Sequence, residues 1–170
     1  MRNDVCERNA KAATILPLGR DGITKTLKEY VMDEAQLGIK KALKDSKQKD
    51  VSLKKLTLVL INDEIDRVTK GLFKDLKRKL EKADGRHEKE AVFDSLEYRL
   101  RFLAEHIVAK SYTYAYAKTC EQLGIKKVYV DFGKSDDKKS HESIIDTSNF
   151  ALEDIPPFHA YCTCNLTINN

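Results

Sequence analysis

Tryptophan is absent from this 170-residue chain, and glycine (7), proline (3) and methionine (2) are scarce. No apolar run approaches the length of a membrane span; the longest strongly apolar stretch is "LVLI", residues 58–61. The opening "MRNDVCERNAKAATILPLG" lacks an apolar h-region, which argues against a secretory signal and predicts a protein made in a reducing cytoplasm. There the four cysteines are expected to stay thiols or bind metal. A dominant charge is missing too. Lys+Arg number 31 and Asp+Glu 27, a net charge of +4, too small an excess to mark a dedicated nucleic-acid binder. Neither a nucleotide-binding glycine loop nor a Ser/His/Asp set is visible, and there is no internal repeat or low-complexity tract.

What is present is charge and helical periodicity. Charged residues make up 34% of the chain and hydrophobic residues 41%, which with so few loop-formers predicts a helix-rich, soluble protein. Apolar residues at Leu27, Val31, Ala35, Ala42 and Leu43 predict a first helix over residues 23–43, after a turn at "PLGRDG". The polar "KDSKQKD" (44–50) reads as a loop. Ile65, Val68, Leu72, Leu76 and Leu80 form the stripe of a second helix. "LTLVLI" could be a short strand, but Leu53, Leu56, Leu60 and Ile61 continue that stripe, so the helix is extended back to about Ser52. "ADGRH" (83–87) ends it, with Gly85 as the stop.

Phe93, Leu96, Leu100, Leu103 and Ile107 then open a third and longest helix. Val108, Tyr112, Ala115 and Leu123 carry it to Gly124, and the short connection makes it antiparallel to the second. Tyr112, Tyr114 and Tyr116 diverge around it by about 200° per step, so they predict core plus surface contacts and not one stacking ladder. The basic "KDLKRKLEK" (74–82) reads first as a solvated face.

After Gly124 the pattern changes. "KKVYVDF" (126–132) alternates as a strand does, "GKSDDKKSHES" is a polar loop, the stretch from Ile144 to Cys162 reads as irregular, and "CNLTI" suits a short closing strand. The fold expected is mainly α: an arm over residues 1–22, an antiparallel helical bundle over 23–124, and a small β-containing module over 125–170. Fewer than roughly 50 residues bury too little surface to hold a shape unaided, so the module needs docking on the helices or a staple.

"PPFHAYCTC" (156–164) offers material for one. Zinc takes four thiolate or imidazole ligands in a tetrahedron. In an extended segment Cys162 and Cys164 point the same way, and a two-residue separation suits them poorly to a mutual disulfide. His159 can fold back past the Pro156-Pro157 corner, and His141, eighteen residues earlier, is the other imidazole of the module. A His141/His159/Cys162/Cys164 zinc site would tie the loop to the closing strand. Equally, two cysteines near a chain end suit burial as small apolar side chains, and an isolated histidine suits a surface hydrogen bond.

The long helix "LEYRLRFLAEHIVAKSYTYAYAKTCEQLGIKKVYV", the loop bearing Asp137, Ser140 and His141, and the closing "IPPFHAYCTCNLTI" together resemble the phage Mu F-type head morphogenesis proteins, also called minor head or minor capsid proteins. The resemblance covers about residues 96–168 and is most specific at Pro156, Pro157, His159, Cys162 and Cys164. The chain departs from the pattern at His106 and Ile107, where the family carries a Thr-Glu pair, and at Thr163, where it carries Arg. Ser140 and Ser143 lie where the family's alternative loop has Cys-x-x-Cys, which leaves a mixed His/Cys site as the form a metal centre would take.

The resemblance implies a structural protein of the virion, present in several copies and associated with the portal or the major capsid protein on the capsid interior. It would support head assembly or delivery of packaged DNA, without a membrane and without catalysis. The alternative is a small nuclease or toxin-like domain in which His141 and His159 do acid–base work on nucleic acid.

Overall fold

The computed structural model describes residues 19–48, 53, 55, 56, 58–132, 143–159 and 162–168. Three helices and a three-stranded antiparallel sheet account for most of them: α1 (Gly19–Asp45), α2 (Val59–Lys82), α3 (Arg86–Gln122), β1 (Lys127–Asp131), β2 (Ile144–Asp146) and β3 (Asn165–Thr167). The chain is thus mainly helical with a small β-containing C-terminal part, as its composition and periodicity predict.

α1 forms because Ile23, Leu27, Val31, Ala35, Gly38 and Ala42 recur at three and four residues and bury one stripe. α2 does the same with Ile61, Ile65, Thr69 and Leu72. Its start is a correction: Leu53, Lys55, Leu56 and Leu58 are not helical, so α2 does not reach back to Ser52. Leu58 is nevertheless buried and Leu56 packs against the core. An irregular path satisfies the leucines' need for burial, so the apolar spacing there carries no helical information.

The helices alternate in direction. Thr24 bonds Thr69 across 3.3 Å and Lys28 pairs with Asp66 at 2.9 Å, which sets α1 antiparallel to α2. Asp75 near the end of α2 accepts from Arg99 of α3, an antiparallel hairpin closed by three residues. α1 and α3 consequently run parallel, and they share the closest packing of the bundle. A Cβ built on Gly38 would lie 2.2 Å from the Tyr112 carbonyl oxygen, so the two backbones meet where no other side chain fits. Further along, the buried Tyr116 donates to Asp45 Oδ2 at 2.9 Å, and burial plus this bond push its phenol well above the ordinary range.

α3 is about 55 Å long at 1.5 Å per residue. It ends at Gly124, whose φ of +75° lets Ile125 N–H return to the Cys120 carbonyl (2.9 Å) and Gly124 N–H to Glu121 (3.0 Å). That turn delivers the chain into β1, the central strand, flanked by β2 and β3. Val128 pairs with Ile145 and Val130 with Leu166, and all four are buried on the inner face. β2 lies inside the stretch expected to be irregular. Its three residues are too few to show alternation; Thr147 fixes them instead, donating to the Ile125 carbonyl at 2.6 Å and through its N–H to Lys126.

Candidate functional site

From Ile107 to Cys120, α3 has almost no solvent-facing side. One stripe, including Val108, Ser111 and Ala115, is buried; the other, Lys110, Thr113 and Tyr114, meets the C-terminal module. A helix covered on both flanks has little room for charge, yet Lys110 is only 8% exposed.

Its purpose is visible in its partners. Lys110 Nζ donates to the carbonyls of Ile155 (2.8 Å) and Pro157 (2.9 Å), while Thr113 Oγ1 donates to the intervening Pro156 carbonyl. Three successive backbone oxygens of "IPP" are thus held by one turn of α3. The Pro156-Pro157 bond is cis. Proline carries no N–H, so this segment has acceptors to satisfy and few donors, and a lysine–threonine pair at i, i+3 supplies what it lacks. Burial lowers the Lys110 pKa to about 8, against the upward pull of Cys162, Glu153, Asp154 and Glu64.

Around this anchor sits a group of titratable side chains. His106, one turn earlier on α3, is half-buried and stacked on Phe102, with ring centroids 6.3 Å apart. Burial and the Lys110 charge lower its pKa, with Glu64 opposing and His159 adding to the effect. Glu64 of α2 bonds Arg67 at 2.6 and 2.7 Å, which lowers its own pKa. Tyr114 packs edge-on to Phe150 at 5.8 Å, and Lys118 lies over the same ring, extending the contact toward the sheet.

The residues singled out for metal fall as follows. His159 is exposed at a turn in which Cys162 N–H reaches its carbonyl at 3.3 Å. Cys162 is half-buried, Thr163 exposed and Cys164 buried in the apolar core. Cys164 thus fills the small apolar role open to it from sequence. Among the described residues no group of three or more His, Cys, Asp or Glu side chains lies close enough to hold a metal ion. His141 lies outside the described residues. His159, Cys162 and Cys164 therefore do not fit a zinc centre by themselves in this arrangement.

Lys110 and Thr113 carry no motif in the sequence, and His106 stands out there only as a departure from the family pattern. A signal existed: between Glu105 and Lys118, Lys110 is the only lysine, arginine or carboxylate in a stretch otherwise made of apolar, aromatic and small polar residues. No protein-family profile, no curated protein and no solved structure matches the chain.

Proposed function

We propose that the protein is a non-enzymatic structural protein of the phage minor-head type, docking on portal or major capsid protein inside the head and present there in several copies. The sequence order of long helix, strand, polar loop and closing Pro-Pro-x-His-x-x-Cys-x-Cys supports this reading. The observation that carries it is the anchoring of that closing segment: Lys110 and Thr113 spend their donors on three backbone carbonyls of the motif's own start. Two of the three ammonium donors of Lys110 are committed to holding backbone, which suits a rigid attachment body. Among the described residues no helix is long and apolar enough to cross a membrane.

Co-sedimentation with proheads or purified portal tests the proposal. The wild-type chain is expected to travel with heads, and a chain that never does so contradicts the role. Contact with packaged DNA is tested by salt titration, because phosphate binding falls steeply between low and moderate salt.

The zinc clasp is a separable part of the proposal, since it would draw on His141 together with His159, Cys162 and Cys164, and nothing above runs through a metal. Elemental analysis of protein purified without chelator tests it: about one zinc per chain, lost in Cys162→Ser, is the result expected of a four-ligand site. Absence of zinc in the wild type removes the clasp and leaves the anchor. The nuclease alternative draws on His141, which lies outside the described residues, and on His159. RNA or DNA cleavage by the pure protein, abolished in His159→Ala, would replace the structural reading.

A further inference from the structure

The outward face of α2 carries charge of one sign. Ile65, Thr69 and Leu72 mark the buried stripe of this helix. At about 100° per residue, Arg67, Lys70, Lys74, Lys77 and Arg78 fall within an arc of about 100° on the opposite side. All five are exposed, and no other residue between 67 and 78 lies on that arc. They span about 16 Å along the helix. Asp63 and Glu81 close the ridge at its two ends.

The carboxylates beside the ridge are already engaged. Glu64 bonds Arg67 at 2.6 and 2.7 Å, and Asp66 meets Lys28 of α1 at 2.9 Å. Asp75 accepts from Arg99 of α3, and from Arg78 at 2.6 Å. What remains without an ion pair among the described residues is a row of three lysines at i, i+4 and i+7: Lys70, Lys74 and Lys77.

We infer that this ridge is a contact for the phosphate backbone of duplex DNA, made without regard to sequence. Charge complementarity selects a polyanion, and what the arc lacks selects among polyanions. It holds no aromatic or apolar side chain, so it offers a protein partner no anchor to bury and a bilayer nothing to insert. It holds no asparagine or glutamine, and both its arginines are bound to carboxylates, so no side chain is placed to read base edges. Lysine is a point charge on a flexible stem and needs only a phosphate to meet. Duplex DNA presents one phosphate per about 3.4 Å of each strand, roughly five over the length of the ridge. Three free lysines imply weak, strongly salt-dependent binding, in keeping with a net charge of only +4. The inference rests on the head-protein reading only for where the DNA would be met, packaged inside the head.

Fluorescence anisotropy of a labelled duplex of about 20 base pairs, titrated with the full chain at about 50 and 200 mM salt, tests it. The wild type is expected to bind in the micromolar range at the lower salt and about 40-fold more weakly at the higher, as three displaced counterions require. The combined variant Lys70→Gln, Lys74→Gln, Lys77→Gln should lose at least about tenfold at the lower salt and most of the salt dependence, with an unchanged melting curve. A control that removes three exposed lysines elsewhere, Lys40→Gln, Lys44→Gln and Lys89→Gln, should stay within about twofold of the wild type. A wild type that fails to bind, a ridge variant that binds as tightly, or an equal loss in the control overturns the inference. Polyglutamate that competes as well as unlabelled duplex at equal charge assigns the ridge to an acidic protein and overturns it too. No head enters this assay, so the two readings fail separately: co-sedimentation with heads but no DNA binding removes the ridge contact alone, and DNA binding without co-sedimentation removes the head role alone.

Discussion

The two halves of α3 are built on opposite plans. Its first half, from Arg86 to about Leu103, buries a single stripe through Leu96 and Leu100 and turns charge outward on the rest. The second half is sheathed, by α1 along one flank and by the C-terminal module along the other. In the first half ions serve as surface: Asp75 meets Arg99, Arg78 and Lys79, and the Arg99 bond leads in holding its pKa down to about 2. In the second half an ion serves as a fastener, because Lys110 gives its protons to backbone oxygens and has nowhere else to place them. The same residue type is decorative in one setting and structural in the other, and burial decides which.

The sharpest way to break the comparison is at Gly38, where the sheathed half meets α1 backbone to backbone. Gly38→Ala puts a methyl group 2.2 Å from the Tyr112 carbonyl oxygen, and neither helix can yield without separating. A loss of about 3 kcal/mol in denaturant titration is expected, at the upper end for overpacking. Lys110→Ala comes next: it leaves the buried Ile155 and Pro157 carbonyls without their donor, and a loss of about 2–3 kcal/mol is expected. Against these, Phe93→Ala on the open half should change monomer stability by about 0.5 kcal/mol or less, as at other exposed positions. A large loss there would mean that the open half is covered after all.

Lysine titration sharpens the same contrast. In the fold Lys110 titrates near pH 8, below its ordinary value of 10.5. Between those values the unfolded chain holds a proton that the folded chain has released, so stability rises with pH across this window. Below about pH 8 that contribution is gone, because both states are protonated. The neutral amine still carries two N–H groups for the two carbonyls. Thermal melts of wild type and Lys110→Met should therefore diverge in favour of the wild type from pH 8 to 10. Parallel curves would show that Lys110 is not buried as described.

Much of this architecture could be read from the chain beforehand, and the failures have physical causes. α1, α2, the first half of α3 and the central strand follow from periodicity, because each has one face in a core and one outside it, whereas the second half of α3 is covered on both flanks. Leu53 and Leu56 misled because leucine needs burial, not helix: Leu56 packs against the core and Leu58 is buried without either being helical. β2 was invisible because three residues cannot display an alternation, and its position depends on Thr147 reaching a carbonyl twenty-two residues away. Phe93 continues the repeat of Leu96 and Leu100 faultlessly yet lies open, since spacing reports which face a residue occupies and not whether anything covers it.

At the candidate site, the residue types that stand out in the sequence are those that bind metal. The side chains found holding the Pro-Pro segment are a lysine and a threonine, whose partners are backbone atoms that no sequence motif displays. The Pro-Pro segment with His159 and Cys162 stood out in the sequence; that α3 supplies its grip did not.

Hydrogen exchange on Lys110→Ala bears most directly on whether α3 holds the module. If the lysine is the fastener, amides of β1, β2 and β3 lose protection in the variant while those between Ile23 and Ala42 of α1 keep theirs. Protection retained throughout the sheet, or lost evenly along the whole chain, would contradict it.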